Sequence, residues 1–191
     1  MPDPTPADVA AYTQGRLAET DPRTPLLLAG ALAAARAYCG WHVTSERVDT
    51  VTVDGPGALM LMLPTLRLVE LTDVIEDGVD LDLAKLEWSL TGMVRKVGHL
   101  SHHGYYGHHE RRRTGGWTSR LRGITVTMKH GFETAPDFNA AVLSAVDRVL
   151  TGGREVIGPF QYGTETPAAA GSAFSAAEKA ILDMYRLEPR A

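Results

Sequence analysis

The sequence predicts an α+β fold in which N-terminal helices precede a small antiparallel sheet of hairpins, followed by a central amphipathic helix and a C-terminal docking helix. Two observations favour this fold. From Arg47 onward apolar and polar residues alternate, as in strands with one buried face. From residue 138 to residue 150 the apolar residues recur at helical spacing, and this helix follows directly on the clearest strand, residues 124–130.

Two helices are predicted before the sheet, one at about residues 7–19 and one from Pro25 to Gly40. Each is preceded by a Thr-Pro pair, which combines a capping residue with a proline suited to the first turn. Gly30 interrupts the second helix and costs about 1 kcal/mol relative to Ala. We therefore expect the backbone of a neighbouring element to approach the helix at Gly30.

Turn signals divide the middle of the chain into short strands. The first two strands flank a four-residue turn at residues 54–57 and are expected to form a hairpin. The Asp77-Gly78 turn and the turn at Gly92 predict two further hairpins. The predicted strands are 47–53, 58–63, 68–75, 79–81, 86–90, 93–96 and 124–130.

The strand at residues 124–130 and the helix after it are predicted to form the centre of the core. Ile124, Val126 and Met128 alternate with polar residues and would face inward. Pro136 suits the first turn of the following helix, and Asp137 complements the positive end of its dipole. The apolar face of this helix comprises residues 138, 141, 142, 145, 146, 149 and 150.

The segment after Gly153 is rich in Gly, Pro, Ala and Thr, which is typical of a linker. The predicted organisation is a core domain at residues 1–153, a linker at residues 154–174 and a C-terminal helix and tail at residues 175–191. Ser175 and Glu178 have the spacing of a capping box. A helix behind a linker is typical of a docking arm, and its predicted apolar side comprises Ala177, Ile181, Met184 and Tyr185.

Charge and cysteine content exclude several classes of protein. A net charge of −4 and a pI near 6.0 argue against a dedicated nucleic-acid binder. The single cysteine, Cys39, cannot form an internal disulfide and carries no signature of a catalytic thiol. The apolar run at residues 26–35 follows a Pro- and Asp-rich start and is too short to span a bilayer, so we expect a buried helix instead of a signal peptide or membrane anchor.

Residues 97–118 follow no regular period and are predicted to form a projecting loop. Its histidines could ligate zinc or nickel, but structural metal sites add Cys or acidic ligands at set spacings, and here glycines separate the histidine pairs. A contact loop is therefore the preferred interpretation. Its arginines and aromatic residues, including Trp117, could contact phosphates and stack nearby, while a solvated basic turn explains the arginines equally well. The candidate contact residues are His102, His103, Tyr105, Tyr106, His108, His109, Arg111, Arg112 and Arg113.

Catalytic signatures are missing from the sequence. It contains no Gly-rich phosphate loop, no G-x-S-x-G nucleophile elbow and no H-E-x-x-H metal-binding motif. Six carboxylates fall between Glu70 and Asp82, but their spacing does not fit a calcium loop. We therefore predict no enzymatic activity, no cofactor and no metal site.

Three segments, read in order, carry a family resemblance: a Leu63-Pro64 step into a strand, a strand with Trp88 before the Gly92 turn, and the strand at 124–130 that enters the Pro136 helix. Together they resemble the head-to-tail adaptor (connector or head-completion) proteins of long-tailed double-stranded DNA bacteriophages. The resemblance covers about residues 20–152, and the order of the elements is as informative as any one motif.

The resemblance implies a ring-forming structural subunit of the virion neck, present in twelve copies, that assembles in the host cytoplasm. The ring would bind the portal protein, extend the DNA channel and dock the next neck protein (a stopper) or the tail. Packaged DNA would pass through it without sequence-specific contacts, and no membrane would be involved. The residues that would dock to the portal are Phe174, Ile181, Leu182, Met184, Tyr185 and Arg186.

Two alternatives stay open at the level of sequence. One is another neck ring, such as a stopper or a tail terminator. The other belongs to a different class: a metal- or nucleic-acid-binding module that uses the His- and Arg-rich loop.

Overall fold

The computed structural model describes residues 3–97, 116–151, 155–157, 160–162 and 174–188. The chain divides into two compact units. The helical unit comprises residues 1–45 and 132–191, and the sheet unit comprises residues 46–131. Four α-helices and small antiparallel sheets confirm the predicted α+β class.

In the part of the chain that the structure describes, the helical unit contains four helices and a short two-stranded ribbon. Helix α3 packs against α1, α2 and α4 and is therefore central to this unit. The helices are α1 (Pro6–Tyr12), α2 (Arg23–Cys39), α3 (Pro136–Thr151) and α4 (Ala176–Asp183), and the ribbon strands are β8 (Glu155–Ile157) and β9 (Phe160–Tyr162).

Helix α1 begins where the sequence predicts and ends earlier. Thr5 and Asp8 form a capping box, in which the Asp8 carboxylate accepts a 2.8 Å bond from the Thr5 N–H. The predicted end near residue 19 is wrong, because Gln14 and Gly15 adopt φ values of 54° and 78° that a right-handed helix excludes.

Helix α2 ends at Gly40, whose φ of 80° is the left-handed conformation that glycine adopts without steric cost. The expected backbone approach at Gly30 is wrong within the described residues, since a Cβ atom there would meet none of their atoms within 4 Å.

The buried face of α3 follows the predicted helical spacing through residues 138, 141, 142, 145 and 146. Val149 departs from it, because its side chain is 65% exposed near the end of the helix.

The described residues of the sheet unit form seven strands in two antiparallel sheets and one short 3-10 helix (Leu83–Lys85). The four-stranded sheet has the order β1-β7-β3-β4, and the three-stranded sheet has the order β2-β6-β5. The strands are β1 (Arg47–Val53), β2 (Met60–Met62), β3 (Leu68–Glu76), β4 (Val79–Asp80), β5 (Leu86–Trp88), β6 (Met93–Lys96) and β7 (Ile124–His130).

The predicted hairpin between the first two strands is wrong. Strand β1 pairs along its whole length with β7, and β2 pairs with β6. The segment between β1 and β2 continues alongside the chain that leads into β7, since the N–H groups of Gly55 and Gly57 donate 2.9 Å bonds to the carbonyls of Arg120 and Thr118. The four-residue turn signal therefore marks a crossing between sheets instead of a reversal.

The other two hairpins and the inner face of β7 are confirmed. β3 pairs with β4 and β5 pairs with β6. Ile124, Val126 and Met128 are fully buried in the core of the sheet unit. That core also contains Leu61, Leu63, Leu68, Leu71, Val74, Leu86, Val94 and Trp117.

Candidate assembly surfaces

The C-terminal segment carries the residues that the sequence singles out for docking. Its helix α4 is capped as predicted: the Ser175 side chain accepts a bond from the Glu178 N–H, and the Glu178 carboxylate accepts a 2.7 Å bond from the Ser175 N–H. The capping box fixes where the helix begins, and hence which residues of the segment share a face.

Helix α4 packs against α2 and α3 in the helical unit. Leu182 is fully buried, and its carbonyl lies 3.6 Å from the Sγ atom of Cys39 at the end of α2. The Trp41 Nε1–H donates a 2.7 Å bond to the Tyr185 carbonyl, and the Leu187 N–H donates a 2.9 Å bond to the Cys39 carbonyl. The docking helix of the sequence analysis is thus a packed element of this unit.

Cys39 has the character of a core residue. Its side chain is buried, and burial raises the pKa of the thiol to about 12. A neutral thiol is a weak nucleophile, which agrees with the interpretation that Cys39 is not catalytic.

Glu178 is a buried acid that the apolar pattern of α4 does not predict, because it is only 5% exposed. Its carboxylate accepts 2.7 Å bonds from the Ser144 hydroxyl and from Arg148, both on α3. Burial alone would raise the pKa of Glu178, but the bonds from Ser144, the Ser175 backbone and Arg148 outweigh it and lower the pKa below 4.5. The ionised form of Glu178 therefore ties α4 to α3.

The helical unit should lose stability in acid through Glu178. Since the pKa is lower in the folded state, the contribution is complete above the ordinary value of 4.5 and disappears as the pH falls through the folded-state pKa. We expect Glu178→Gln to lower the unfolding free energy at pH 7 by about 1–3 kcal/mol, since it weakens hydrogen bonds to a charged group. Urea unfolding at several pH values would measure the difference in unfolding free energy between wild type and Glu178→Gln. If this difference does not become smaller below pH 4.5, the ionised Glu178 carboxylate is not its source.

The six candidate docking residues do not share one surface. Phe174 and Leu182 are buried, and the Tyr185 ring contacts Phe132 and Phe138 with centroid distances of 5.4 and 5.8 Å. Met184 is 63% exposed, the Arg186 side chain is 47% exposed, and Ile181 is half-buried.

The predicted apolar side of α4 needs correction as well. Ala177 is exposed, whereas Glu178 and Leu182 face inward. Of the candidate docking residues, Met184 and Arg186 are the two that a partner protein can reach without unpacking α4.

The predicted projecting loop begins and ends on the sheet unit. The Val97 N–H donates a 2.7 Å bond to the Lys85 carbonyl, and Lys96 Nζ donates a 3.1 Å bond to the Gly116 carbonyl. Residues 96 and 116 are thereby held next to each other. The histidine, tyrosine and arginine candidates between them lie outside the described residues.

Trp117 does not belong to the candidate contact surface, which corrects the expectation that its ring stacks beside the arginines. It is 3% exposed in the sheet core, and its Nε1–H lies 3.3 Å from the Val94 carbonyl. Lys96 Nζ lies 4.7 Å from the centre of its ring. Trp117 therefore anchors the loop base.

Glu76 completes this anchor and, unlike a carboxylate on a solvated strand face, is largely buried. Its side chain is 14% exposed, pairs with Lys96 and accepts a 2.7 Å bond from the Thr118 N–H. Sequence reasoning missed this network because its members lie 20 and 42 residues apart in the chain.

A second buried polar pair lies where β1 and β7 meet. His130 is 3% exposed, and its Nε2 atom lies 3.0 Å from the Asp49 carboxylate. Burial lowers the pKa of His130 below its ordinary value, with Asp49 opposing the effect, so the ring is neutral at pH 7. The alternation that identifies β7 as a strand also predicts that residue 130 faces inward.

The outer face of the three-stranded sheet exposes a methionine patch formed by Met60, Met62 and Met93. They are 39%, 45% and 38% exposed, and Met62 lies directly opposite Met93 in the β2-β6 pairing. Flexible thioether side chains on a flat surface are typical of protein contact sites.

None of the helices in the described residues is long and apolar enough to span a membrane.

Comparison with known proteins shows the fold. No family model and no curated protein matches the chain. A solved structure described as the neck of a native GTA (gene transfer agent) particle, computed with C12 symmetry, matches with a TM-score of 0.57 and 12% identity over 95% of this chain and 90% of that chain. A second, the neck of an empty GTA particle computed with C6 symmetry, matches with a TM-score of 0.53 and 13% identity over 97% and 90% of the two chains.

Proposed function

We propose that this chain is a structural protein of the neck of a phage-like particle, and specifically a head-to-tail adaptor. The observation that carries the proposal is the match of the fold over 95% of the chain with a neck structure. A match limited to a single sheet or a single group of helices would be compatible with many unrelated functions, because such substructures occur in many folds.

The adaptor role follows from combining the shared fold with the sequence resemblance, in which the Leu63-Pro64 step, the Trp88 strand and the 124–130 strand occur in the order typical of adaptors. Its subunits would form a ring of twelve copies that binds the portal protein. The ring would extend the DNA channel and dock a stopper or the tail.

An adaptor would act through the shape of its ring and through its contact surfaces, without a catalysed reaction. A ring built from identical subunits needs contacts between neighbours and contacts with the rings on either side. The chain offers exposed apolar surface for these contacts in the methionine patch and at Met184.

Electron microscopy of the native oligomer, and of particles that contain it, tests the proposal. We expect a closed ring with a wide central hole, located between the portal and the tail. A ring located at the far end of the neck or on the tail would instead identify a stopper or a tail terminator. A compact monomer that never joins particles would contradict the neck role.

The basic triplet Arg111–Arg113 gives a further test. If the adaptor ring surrounds packaged DNA, repetition of the triplet would line the channel with weak, salt-sensitive phosphate contacts. The triple Ala variant should then assemble normally and retain less DNA than wild type, as measured by nuclease protection of filled particles. Unchanged retention would favour the solvated basic turn.

A further inference from the structure

Strand β1 forms an edge of the four-stranded sheet, and its outer side has no strand beside it in the described residues. Within those residues, its backbone ladder runs to β7 alone. An edge strand of seven residues presents a row of N–H and C=O groups to which another strand can pair.

The hydrogen bonds between β7 and β3 show which backbone groups of β1 point away from the sheet. The Thr127 carbonyl accepts a 2.9 Å bond from the Thr72 hydroxyl of β3, and the Gly123 carbonyl accepts a 2.8 Å bond from Asp77. Odd-numbered residues of β7 therefore direct their backbone groups toward β3. Their partners on β1 cannot bond to β7, because both groups of a residue point to the same side of a strand.

Those partners are Val48, Thr50 and Thr52, which lie opposite residues 129, 127 and 125. Their N–H and C=O groups consequently point away from the sheet. The segment after β1 follows the same alternation. The N–H groups of the odd-numbered residues Gly55 and Gly57 bond to the carbonyls of Arg120 and Thr118, so it is the odd-numbered residues whose backbone groups point toward β7 and the chain before it.

The outer side of β1 lacks the features that usually protect an edge. Arg47 and Asp49 place a charged pair at the start of β1, but residues 50–53 contain neither a charge nor a proline. Val48 is 61% exposed, and Thr50 and Thr52 are exposed as well. Natural proteins normally block such an edge with charge, proline or a bulge. An open edge of β-branched residues is thus suited to pairing.

The ribbon formed by β8 and β9 is the complementary element. Each strand has only three residues, and among the described strands the two pair only with each other. An isolated two-stranded ribbon is marginally stable in water and gains stability by joining a larger sheet.

We propose that the β8-β9 ribbon of one copy adds to the β1 edge of a second copy and extends its four-stranded sheet by two strands. Cyclic assembly needs two different patches on each subunit, and an edge strand together with a short two-stranded ribbon provides such a pair. This inference rests on the proposed ring and assigns the contact that closes it.

A proline scan of the edge tests the inference. Thr50→Pro removes an outward N–H without removing a bond to β7, and Thr50→Ala is the matched control because both variants lose the hydroxyl. We expect Thr50→Ala to form rings like wild type and Thr50→Pro to require at least a tenfold higher concentration for half-maximal assembly, measured by mass photometry and electron microscopy. Circular dichroism and hydrogen exchange in β7 would establish that the proline variant is folded.

A second variant keeps the inference falsifiable if proline at residue 50 loosens β1. Val48→Pro removes the neighbouring outward N–H near the end of the strand, where the strain is smaller. Rings of normal stability in a folded Thr50→Pro or Val48→Pro variant would overturn the edge contact and leave the neck role intact.

The donor strand is tested separately. Replacing residues 155–162 with a Gly/Ser segment of equal length should weaken assembly as much as Thr50→Pro does. Normal assembly of this replacement would overturn the ribbon as donor. Failure of the wild-type chain to form any ring, alone or on particles, would contradict the proposed function itself.

Discussion

Replacing Trp117 with Ala is expected to lower the unfolding free energy of the sheet unit by about 3–5 kcal/mol. The side chain is 3% exposed, so its removal leaves a large cavity in the core. The change also leaves the Val94 carbonyl without its indole donor and removes the ring beneath Lys96. The backbone bond from the Trp117 N–H to the Ala58 carbonyl, 2.8 Å long, does not compensate for the lost packing.

Urea unfolding monitored by circular dichroism, together with hydrogen exchange in β7, would measure this effect. Trp117→Phe should cost less, because it keeps an aromatic ring and loses the indole N–H. Leu121→Ala is the surface control, since Leu121 is 75% exposed and its truncation should change stability by no more than about 0.5 kcal/mol. A Trp117→Ala variant as stable as the surface control would show that the ring is not part of the core.

The result matters for function because Trp117 and Glu76 hold one end of the candidate contact loop. The buried ring and the ion pair hold residues 96 and 116–118 in place at the base of this segment. Loss of the anchor should therefore disturb loop-dependent contacts before it disturbs the helical unit.

Replacing Leu182 with Ala should lower the unfolding free energy of the helical unit by about 2–5 kcal/mol, as expected for a fully buried leucine. Met184→Ala on the same helix should change stability little, because Met184 is 63% exposed. The two variants remove apolar side chains of similar size and differ in burial. Urea unfolding distinguishes them directly.

Variants of buried Leu182 and of exposed Met184 also distinguish a folding defect from a docking defect. If α4 contacts the portal protein, the double variant Met184→Ala/Arg186→Ala should remain folded and bind portal-containing capsids at least tenfold more weakly, as measured by co-sedimentation. Leu182→Ala should lose binding only in proportion to the unfolded fraction. Normal binding by the folded double variant would contradict docking through the exposed side of α4.

Because α4 is packed against α2 and α3, removing residues 172–191 would test the stability of the helical unit as well as docking. Sequence reasoning expects removal of residues 172–191 to leave a folded domain, because a helix behind a linker looks dispensable. In the structure the deletion would uncover Cys39 and remove the Glu178 bonds to α3. Point variants on the exposed side of α4 are therefore the sharper test of docking.

Much of the fold could be predicted because it is encoded locally. The capping boxes at Thr5 and Ser175 fixed two helix starts, and Gly40 fixed a helix end. The alternation in residues 124–130 placed the inner face of β7, since a side-chain period of two follows from the strand alone. Tight turns likewise identified the β3-β4 and β5-β6 hairpins.

The candidate assembly surfaces were less predictable. Apolar residues near the C-terminus marked a docking segment, but the pattern did not show which of them α2 and α3 already cover. Neither the methionine patch nor the open edge of β1 has a motif, because exposure depends on what the rest of the chain leaves uncovered.

The sequence by itself therefore determined the helices, the strands of the sheet unit, many of their ends and the α+β class, because capping, turn geometry and periodicity act between residues close in the chain. The ribbon strands β8 and β9 fall in the segment predicted to be a linker. Only the tertiary structure decided that β1 pairs with β7 instead of β2, that Trp117 is buried, and that Glu178 faces inward while Met184 faces out. The physical reason is that strand pairing and burial depend on contacts between distant residues. Many pairings satisfy the local pattern, and the shared core selects one of them.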